Sequence, residues 1–382
     1  YLGAMLYLLG QEGAEKYRRD DKSGFHNLSF GFELEASTTV SASTAVDVHW
    51  LPPGFSTGSK DPRFQGLLGE RAMDYSLSLS RRFYKGHGHG NDYLVFEEGC
   101  GWPVLTDTVS QVCHRWQGVG ADGIVALLAG EGPFGRRKGD DPFRLRMFNP
   151  DGSEFERSGN GLRVLGTYLL ARGWVRKGEP FPVEVGGDRV EMEILGTLPH
   201  GLVNVAVEMG AASFGLEAVG GEEGGLGEGR FLPGPRGETL DIQPVSVGNP
   251  HCVTFRESLS EEDLLRLGPF LTGHPAFPRG VNVQLVRVTE EGGVEILIWE
   301  RGVGRTTSSG TSACAVAAAC VHRGLLAPGR VQVRMEGGDF FVTVSPGEAV
   351  RLEGPVQPVM EGEMTPELQR VLLREQGGEP PC

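Results

Sequence analysis

The sequence predicts an α+β protein built as two pseudo-symmetric lobes, with its active site in the cleft between them. Three observations carry that prediction. First, the run RMFNPDGSEFERSGNGLRVLGTYLLARG, from Arg146 to Gly173, has a counterpart from Ile298 to Gly324 at a constant offset of 151 residues. Phe148 then meets Trp299, Ser158-Gly159 meets Ser309-Gly310, and Arg172-Gly173 meets Arg323-Gly324. Each copy reads as strand, glycine turn and helix, with small polar residues at the helix start and glycine just past its end, as capping requires. Second, 59 glycines fall mostly in turns and one long loop, which suits many short strands better than a helical bundle. Third, a helix start presents free backbone N–H groups that bind anions. Two such starts facing each other could grip one carboxylate, and a cleft between equivalent lobes is where they would meet.

At 382 residues the chain is long enough for two or three domains with full cores. A formal net charge of -14 argues against a nucleic-acid or anionic-membrane partner, since both need basic patches. It leaves room for a small zwitterionic or cationic ligand. The six cysteines, Cys100, Cys113, Cys252, Cys314, Cys320 and Cys382, form no C-x-x-C pair and no zinc-finger spacing, so they read as reduced thiols in a cytosol and no metal is expected. The opening YLGAMLYLLG is apolar, yet it lacks a basic flank and is too short to span a bilayer.

In chain order, residues 1–72 read as a weakly ordered extension, and Met73, ahead of the first convincing strand, is an alternative start. GFSTG at Gly54 to Gly58 fits the nucleophile-elbow pattern, but prolines stand where its strand and helix should be. Alternation resumes from Tyr75 to Phe83, then KGHGHGNDYLVFE places a glycine turn between two strands. That excludes a dinucleotide fingerprint, which needs a helix after the glycines; no Walker A pattern occurs either, and no cofactor is expected. His87 and His89 read as exposed turn residues. Thr106 to Arg115 is a short helix, and QGVGADGIVALL a glycine turn before a buried strand, with the Asp122 carboxylate on local backbone N–H groups. FRLRMFNP is a strand, DGSEFE a hairpin, and SGNGLRVLGTYLLARG the first helix. Strands follow at PVEVG, RVEMEIL and LVNVAVEMG, each alternating wet and dry faces. Residues 211–238 are a Gly/Glu/Pro-rich loop. TLDIQPVSVGNPHCVTF is two strands around GNPH. Ser258 with Glu261 predicts a capping box opening a helix through Leu267. FPRGVNVQLVRV and GGVEILIW are strands before the second Ser-Gly helix, and RVQVRME, FFVTV and AVRLEGPVQPVMEGE complete the sheet. The tail, 366–382, holds a helical turn or two.

Taken together, KGHGHGNDY, QGVGADG, RMFNPDGSE, SGNGLR, VGNPHCV, FPRGVNV, WERGVG, SGTSACA and GPVQPVMEGE resemble one family, the diaminopimelate epimerases, in that family's order over about residues 75–365. The resemblance implies two lobes, each a curved mixed sheet wrapped round a central helix: 73–200 as the first, completed by 355–365, and 201–354 as the second. It implies a cofactor-independent isomerase that interconverts LL- and meso-diaminopimelate by removing and returning the α-proton, in lysine and peptidoglycan precursor synthesis in the cytoplasm. The expected partner is a small amino-acid substrate, with neither nucleic acid nor membrane; a homodimer stays open. Carried over position by position, the substrate contacts fall on Asn91, Asn149, Asn249, Asn282, Glu300 and Arg301, with Gly159-Asn160 and Gly310-Thr311 at the helix starts. Arg301 is expected to clamp a carboxylate through two hydrogen bonds, and His251 to stand beside the chemistry.

The chain departs from that pattern where the family carries two cysteines, one at each helix start. Here those positions are Ser158 and Ser309. A thiol can be lowered into the working range at a helix N-terminus, whereas a serine hydroxyl needs a partner base, for which the motifs offer His251 and Glu300. Arg305 stands where the family usually has glutamate and is expected to alter charge at the cleft. Cys314 is expected in the core. Three readings stay open: an epimerase using Ser158 and Ser309, an isomerase or lyase on another amino acid, and a binding protein that kept recognition without turnover.

Overall fold

A computed structural model of the chain describes residues 77–130, 141–155, 157–222 and 230–374. The predicted extension over 1–72, with its GFSTG stretch, lies outside the described residues, as does the end of the tail.

The first half of the described chain contains β1 (Ser78–Gly88), β2 (Asn91–Glu98), β3 (Trp102–Pro103), α1 (Thr106–Cys113), β4 (Ile124–Leu127), β5 (Phe143–Phe148), β6 (Glu154–Phe155), α2 (Gly159–Ala171), β7 (Phe181–Val185), β8 (Asp188–Thr197) and β9 (Val203–Ala211). The second half contains β10 (Ser213–Phe214), β11 (Phe231–Pro233), β12 (Thr239–Ser246), β13 (Pro250–Phe255), α3 (Glu261–Thr272), β14 (Asn282–Val288), β15 (Val294–Glu300), β16 (Gly304–Thr306), α4 (Gly310–His322), β17 (Gly329–Arg334), β18 (Phe340–Val344), β19 (Ala349–Glu363) and α5 (Pro366–Arg374). The predicted duplication is realised in register: α2 and α4, the two repeat helices, begin and end 151 residues apart.

Both halves close into rings of strands. In the first, β1, β2, β4, β5, β7, β8 and β9 pair edge to edge, and β19 joins β9 back to β1. In the second, β12, β13, β14, β15, β17 and β18 pair in the same way, β18 passes to β19 and β19 to β9, whose continuation β10 returns to β12. The long β19 and its neighbour β9 therefore belong to both rings, and the ladder of β8 on β9 runs across the expected boundary near residue 200. Parallel pairs occur at β2–β4, β5–β7, β13–β14 and β15–β17, so each sheet is mixed as expected. Closure leaves no exposed edge within a ring.

A closed sheet needs something apolar at its centre, and the repeat helices supply it. Every residue of α2 from Gly159 to Leu169 is buried, and α4 is buried from Ser312 to Cys320, the pattern of a helix with no wet face. Both helices end on a left-handed glycine, Gly173 and Gly324, each at φ 68. Gly173 N–H donates to Leu170 O and Trp174 N–H to Leu169 O, and Gly324 and Leu325 repeat the pattern on Val321 and Cys320, which satisfies the last carbonyls.

Several expectations need correction. Ser258 does not cap α3; Ser260 does, its Oγ accepting from Asp263 N at 3.1 Å. The helix runs through Pro269 to Thr272 because Leu271 is buried in line with Leu264 and Leu267. The 211–238 stretch is not all loop, since β10, a helical turn at Glu217–Val219 and β11 lie within it. Cys113, Cys252, Cys314 and Cys320 are free, but Cys100 is disulfide-bonded, so the reduced-thiol reading fails there; spacing along the chain does not show which thiols folding brings into contact. His89 is not an exposed turn residue, for its ring packs edge-on against Phe340 at 4.8 Å and its Nε2 lies 3.0 Å from Asp339 O. The Asp122 carboxylate reaches the backbone of β2, at Asp92 N, rather than its own turn.

Candidate active site

The two helix starts are built alike. Ser158 and Ser309 take extended backbone at the N-cap. Ser158 Oγ accepts from Gly161 N at 3.1 Å and Ser309 Oγ from Ser312 N at 3.5 Å. The backbone N–H of each donates to a methionine sulfur, Met147 and Met335 respectively. One residue further on, a Cβ built at Gly159 would lie 3.1 Å from Leu352 Cδ2, and one built at Gly310 2.9 Å from the same atom. Both helix starts therefore converge on a single methyl group of the shared strand β19.

Around Ser309 the second lobe gathers most of its predicted residues. Glu300, at the end of β15, lies beside the hydroxyls of Ser309 and Thr306; burial raises its carboxyl above the usual range while the two hydroxyls oppose the rise. Asn249 Nδ2 donates to Thr311 Oγ1 at 3.4 Å, and Asn249 Oδ1 lies 2.8 Å from His251 Nε2. His251 is fully buried, and its Nδ1 sits 3.0 Å from Gln284 Nε2. The Asn249 carbonyl must accept, so Nε2 carries the proton and Nδ1 accepts from Gln284. Burial first, then the nearby Arg301 charge, push the imidazole down to about 3 against the Gln284 contact. His251 is thus neutral, with both nitrogens engaged in orienting Asn249 and Gln284. Asn282 Nδ2 donates to Pro250 O at 3.1 Å and its Oδ1 accepts from Arg301 N at 2.9 Å.

Two charged residues face outward. Arg301 is exposed, and its Nη1 donates to Arg279 O at 2.8 Å. Arg305 is also exposed and paired outward, with Glu261 at 2.9 Å and Glu336 at 2.5 Å. Cys314 is in the core as expected, where burial pushes its thiol up to about 12.

The first lobe assembles a chain of hydrogen bonds that runs from cation to anion. Arg163, fully buried in α2, donates through Nη2 to Asn160 Oδ1 and through Nε to Gly159 O at 3.2 Å. Asn160 Nδ2 donates to Asn91 Oδ1 at 2.7 Å, and Asn91 Nδ2 to Asp122 Oδ2 at 3.0 Å. Arg115 then bridges Asp122 at 2.5 Å and Asp92 at 2.8 Å, and Lys85 pairs with Asp92 at 2.9 Å. Burial would raise Asp92, but Arg115 and Lys85 outweigh it and hold the carboxyl at about 2. The charges at the two ends fix which way each asparagine amide points. Asn149 is apart from this chain; its backbone N–H and Nδ2 both bond to Ser153 across its own hairpin turn, at 2.8 and 3.0 Å.

Sequence reasoning missed Tyr93, Arg163 and Gln284. Tyr93 is buried beside Ser158, and burial pushes its phenol up to about 12 against that contact. Arg163 stacks on Phe340 at 4.5 Å, and a side chain at Gly354 would collide with it. Only Tyr93 left a trace in the sequence, through the likeness of GNDY to GNPH.

Two closed, mixed sheets, each around a buried helix, with their polar helix starts converging, define a two-lobed isomerase of the amino-acid racemase and epimerase class. Solved structures share the fold: a predicted epimerase from Pseudomonas aeruginosa at 20% identity and TM-score 0.51, covering 75% of this chain and 99% of that one, and a hydroxyproline epimerase from Agrobacterium vitis at 16% and 0.52, covering 75% and 94%. The family model for diaminopimelate epimerase matches residues 83–215 and 244–359. The chain is 36% identical over 291 residues to Diaminopimelate epimerase 2 of a Nostoc species, covering 75% of this chain and 96% of that protein. It is 38% identical over 293 residues to a diaminopimelate epimerase of Desulforudis audaxviator, covering 73% and 98%. It belongs to the diaminopimelate epimerase family. Among the described residues no helix is long and apolar enough to cross a membrane.

Proposed function

We propose that this protein interconverts LL- and meso-diaminopimelate by moving the α-proton across the cleft, with Ser158 and Ser309 at the two positions where the family resemblance puts cysteines. The observation that carries the reading is the convergence of two serine-capped helix starts on Leu352. Backbone N–H groups there offer one carboxylate a site shared between lobes. To Asn91, Asn249, Asn282 and Arg301, which neighbour the helix starts or one another through hydrogen bonds, we assign the reading of the distal amino-acid end. Glu300, raised by burial, is the group with the basicity to take a proton beside Ser309; His251, with both nitrogens engaged, holds Asn249 in place. The reading needs no cofactor, assigns the protein to lysine and peptidoglycan precursor synthesis in the cytoplasm, and leaves a homodimer to be tested by light scattering.

The experiment is solvent deuterium incorporation at Cα, starting separately from LL- and meso-diaminopimelate. Deuterium at Cα together with inversion is the expected result. Binding by calorimetry without any exchange would leave a binding protein, a reading that the locked His251 and the two serines favour; exchange only with other amino acids would move the substrate.

A further inference from the structure

Two short stretches correspond that the 151-residue offset does not align: Gly90-Asn91-Asp92-Tyr93 and Gly248-Asn249-Pro250-His251. Each leads into a strand that pairs antiparallel with the strand before it and parallel with the one after it, β2 with β1 and β4, β13 with β12 and β14. Tyr93 therefore occupies in the first lobe the place that His251 holds in the second. Its ring lies against the first turn of α2, where a Cβ at Gly161 would come 3.3 Å from Cδ1 and Cε1, and a Cβ at Gly123 only 2.5 Å from Cε1. Gly161 N is the group that donates to Ser158 Oγ, so the ring packs beside the capping serine, whose hydroxyl acts on the phenol.

Among the described residues of the first lobe, no carboxylate stands beside Ser158 as Glu300 stands beside Ser309. Under the 151-residue offset the counterpart of Glu300 is Asn149, whose amide is engaged in its own turn. The free thiols at Cys113, Cys252, Cys314 and Cys320 are buried, each pushed up to about 12. Among the described residues, the Tyr93 phenol lies beside Ser158 and the Glu300 carboxyl beside Ser309.

Building on the isomerase reading above, we propose that Tyr93 supplies and recovers the proton that Ser158 exchanges with the α-carbon, in place of a thiol. In one direction the Ser158 O–H bond breaks and its proton joins the carbanion pair as the new C–H bond. The Tyr93 O–H bond breaks in concert, its proton passing to the Ser158 oxygen while the phenolic oxygen keeps the pair as phenolate. Glu300 holds the proton taken from the other face. The reverse reaction runs each transfer backwards, and phenolate and protonated carboxyl re-equilibrate through solvent between turnovers, so no further reactant is needed. A phenol buried to about 12 is a neutral donor at neutral pH.

The test compares wild type, Tyr93→Phe, Ser158→Cys and the Ser158→Cys, Tyr93→Phe double variant in deuterated water, following both inversion and deuterium gained without inversion. Phe keeps the ring and removes only the hydroxyl. In Tyr93→Phe, inversion should fall by at least about tenfold, the low side of what a positioned proton donor contributes. Exchange without inversion, which the Glu300 face performs alone for one of the two isomers, should persist. With Ser158→Cys in place the thiol carries its own proton, and Tyr93→Phe should then change inversion little. A Tyr93→Phe variant equal to wild type, or one that loses inversion and exchange in parallel, overturns the relay while leaving the isomerase reading intact. Absence of exchange in the wild type with either isomer overturns both.

Discussion

Gly159 and Gly310 abut the same methyl group, Leu352 Cδ2, which a Cβ would meet at 3.1 Å beside one and 2.9 Å beside the other, too close for either without a shift. One side chain of the shared strand thus sets the spacing of both helix starts.

Adding a methyl at Gly310 should be felt at once. Gly310→Ala is expected to cost about 1–3 kcal/mol by overpacking, read from urea unfolding. Gly159→Ala, with slightly more room, should cost less. In a Leu352→Ala background the Gly310→Ala cost should shrink, since contacting residues couple; an unchanged cost would mean that Leu352 is not what the helix start meets.

Restoring thiols should speed the reaction. The double change Ser158→Cys with Ser309→Cys is expected to raise α-proton exchange by at least about tenfold, because a helix start lowers a thiol toward the working range. Each single change should help less. Four equal rates across wild type, singles and double would reduce both serines to helix caps.

His251 should make the protein sensitive to mild acid. Its folded pKa, about 3, lies below the ordinary value of 6.5, so between those limits the unfolded chain binds the extra proton. Stability should therefore fall as pH drops from about 6.5 toward 3, by up to about 1.4 kcal/mol per pH unit from this group. Denaturant midpoints across that range should flatten in a His251→Gln variant by that contribution; a slope equal to wild type would show that His251 does not titrate in this way.

Arg301 is exposed and bonded to a backbone carbonyl, so its loss should be milder than that of a buried charge. Arg301→Ala is expected to weaken binding of a diamino-dicarboxylate by about tenfold at most, in line with an exposed charged contact. Calorimetry giving a loss of several hundredfold would mean that the side chain leaves Arg279 and closes on the ligand.

The sequence by itself determined much of what rests on local spacing. The 151-residue repeat fixed α2 and α4 to the residue, because an N-cap serine and a left-handed glycine are dictated by hydrogen bonds within a few positions. The strands were legible through alternation, and Ser158, Ser309, Asn249, His251, Asn282 and Glu300 were singled out by the likeness of their motifs to one family. What the tertiary structure alone decided involves partners far apart in the chain. Tyr93 meets Ser158, Arg163 needs the empty space at Gly354, Arg301 turns to Arg279, and Leu352 joins Gly159 to Gly310. No spacing rule reaches those pairs, since each depends on how the closed sheets carry a side chain across the molecule. The Ser258 expectation shows the same limit at short range: Ser260 can cap a helix too, and the burial of Leu264, Leu267 and Leu271 selects it.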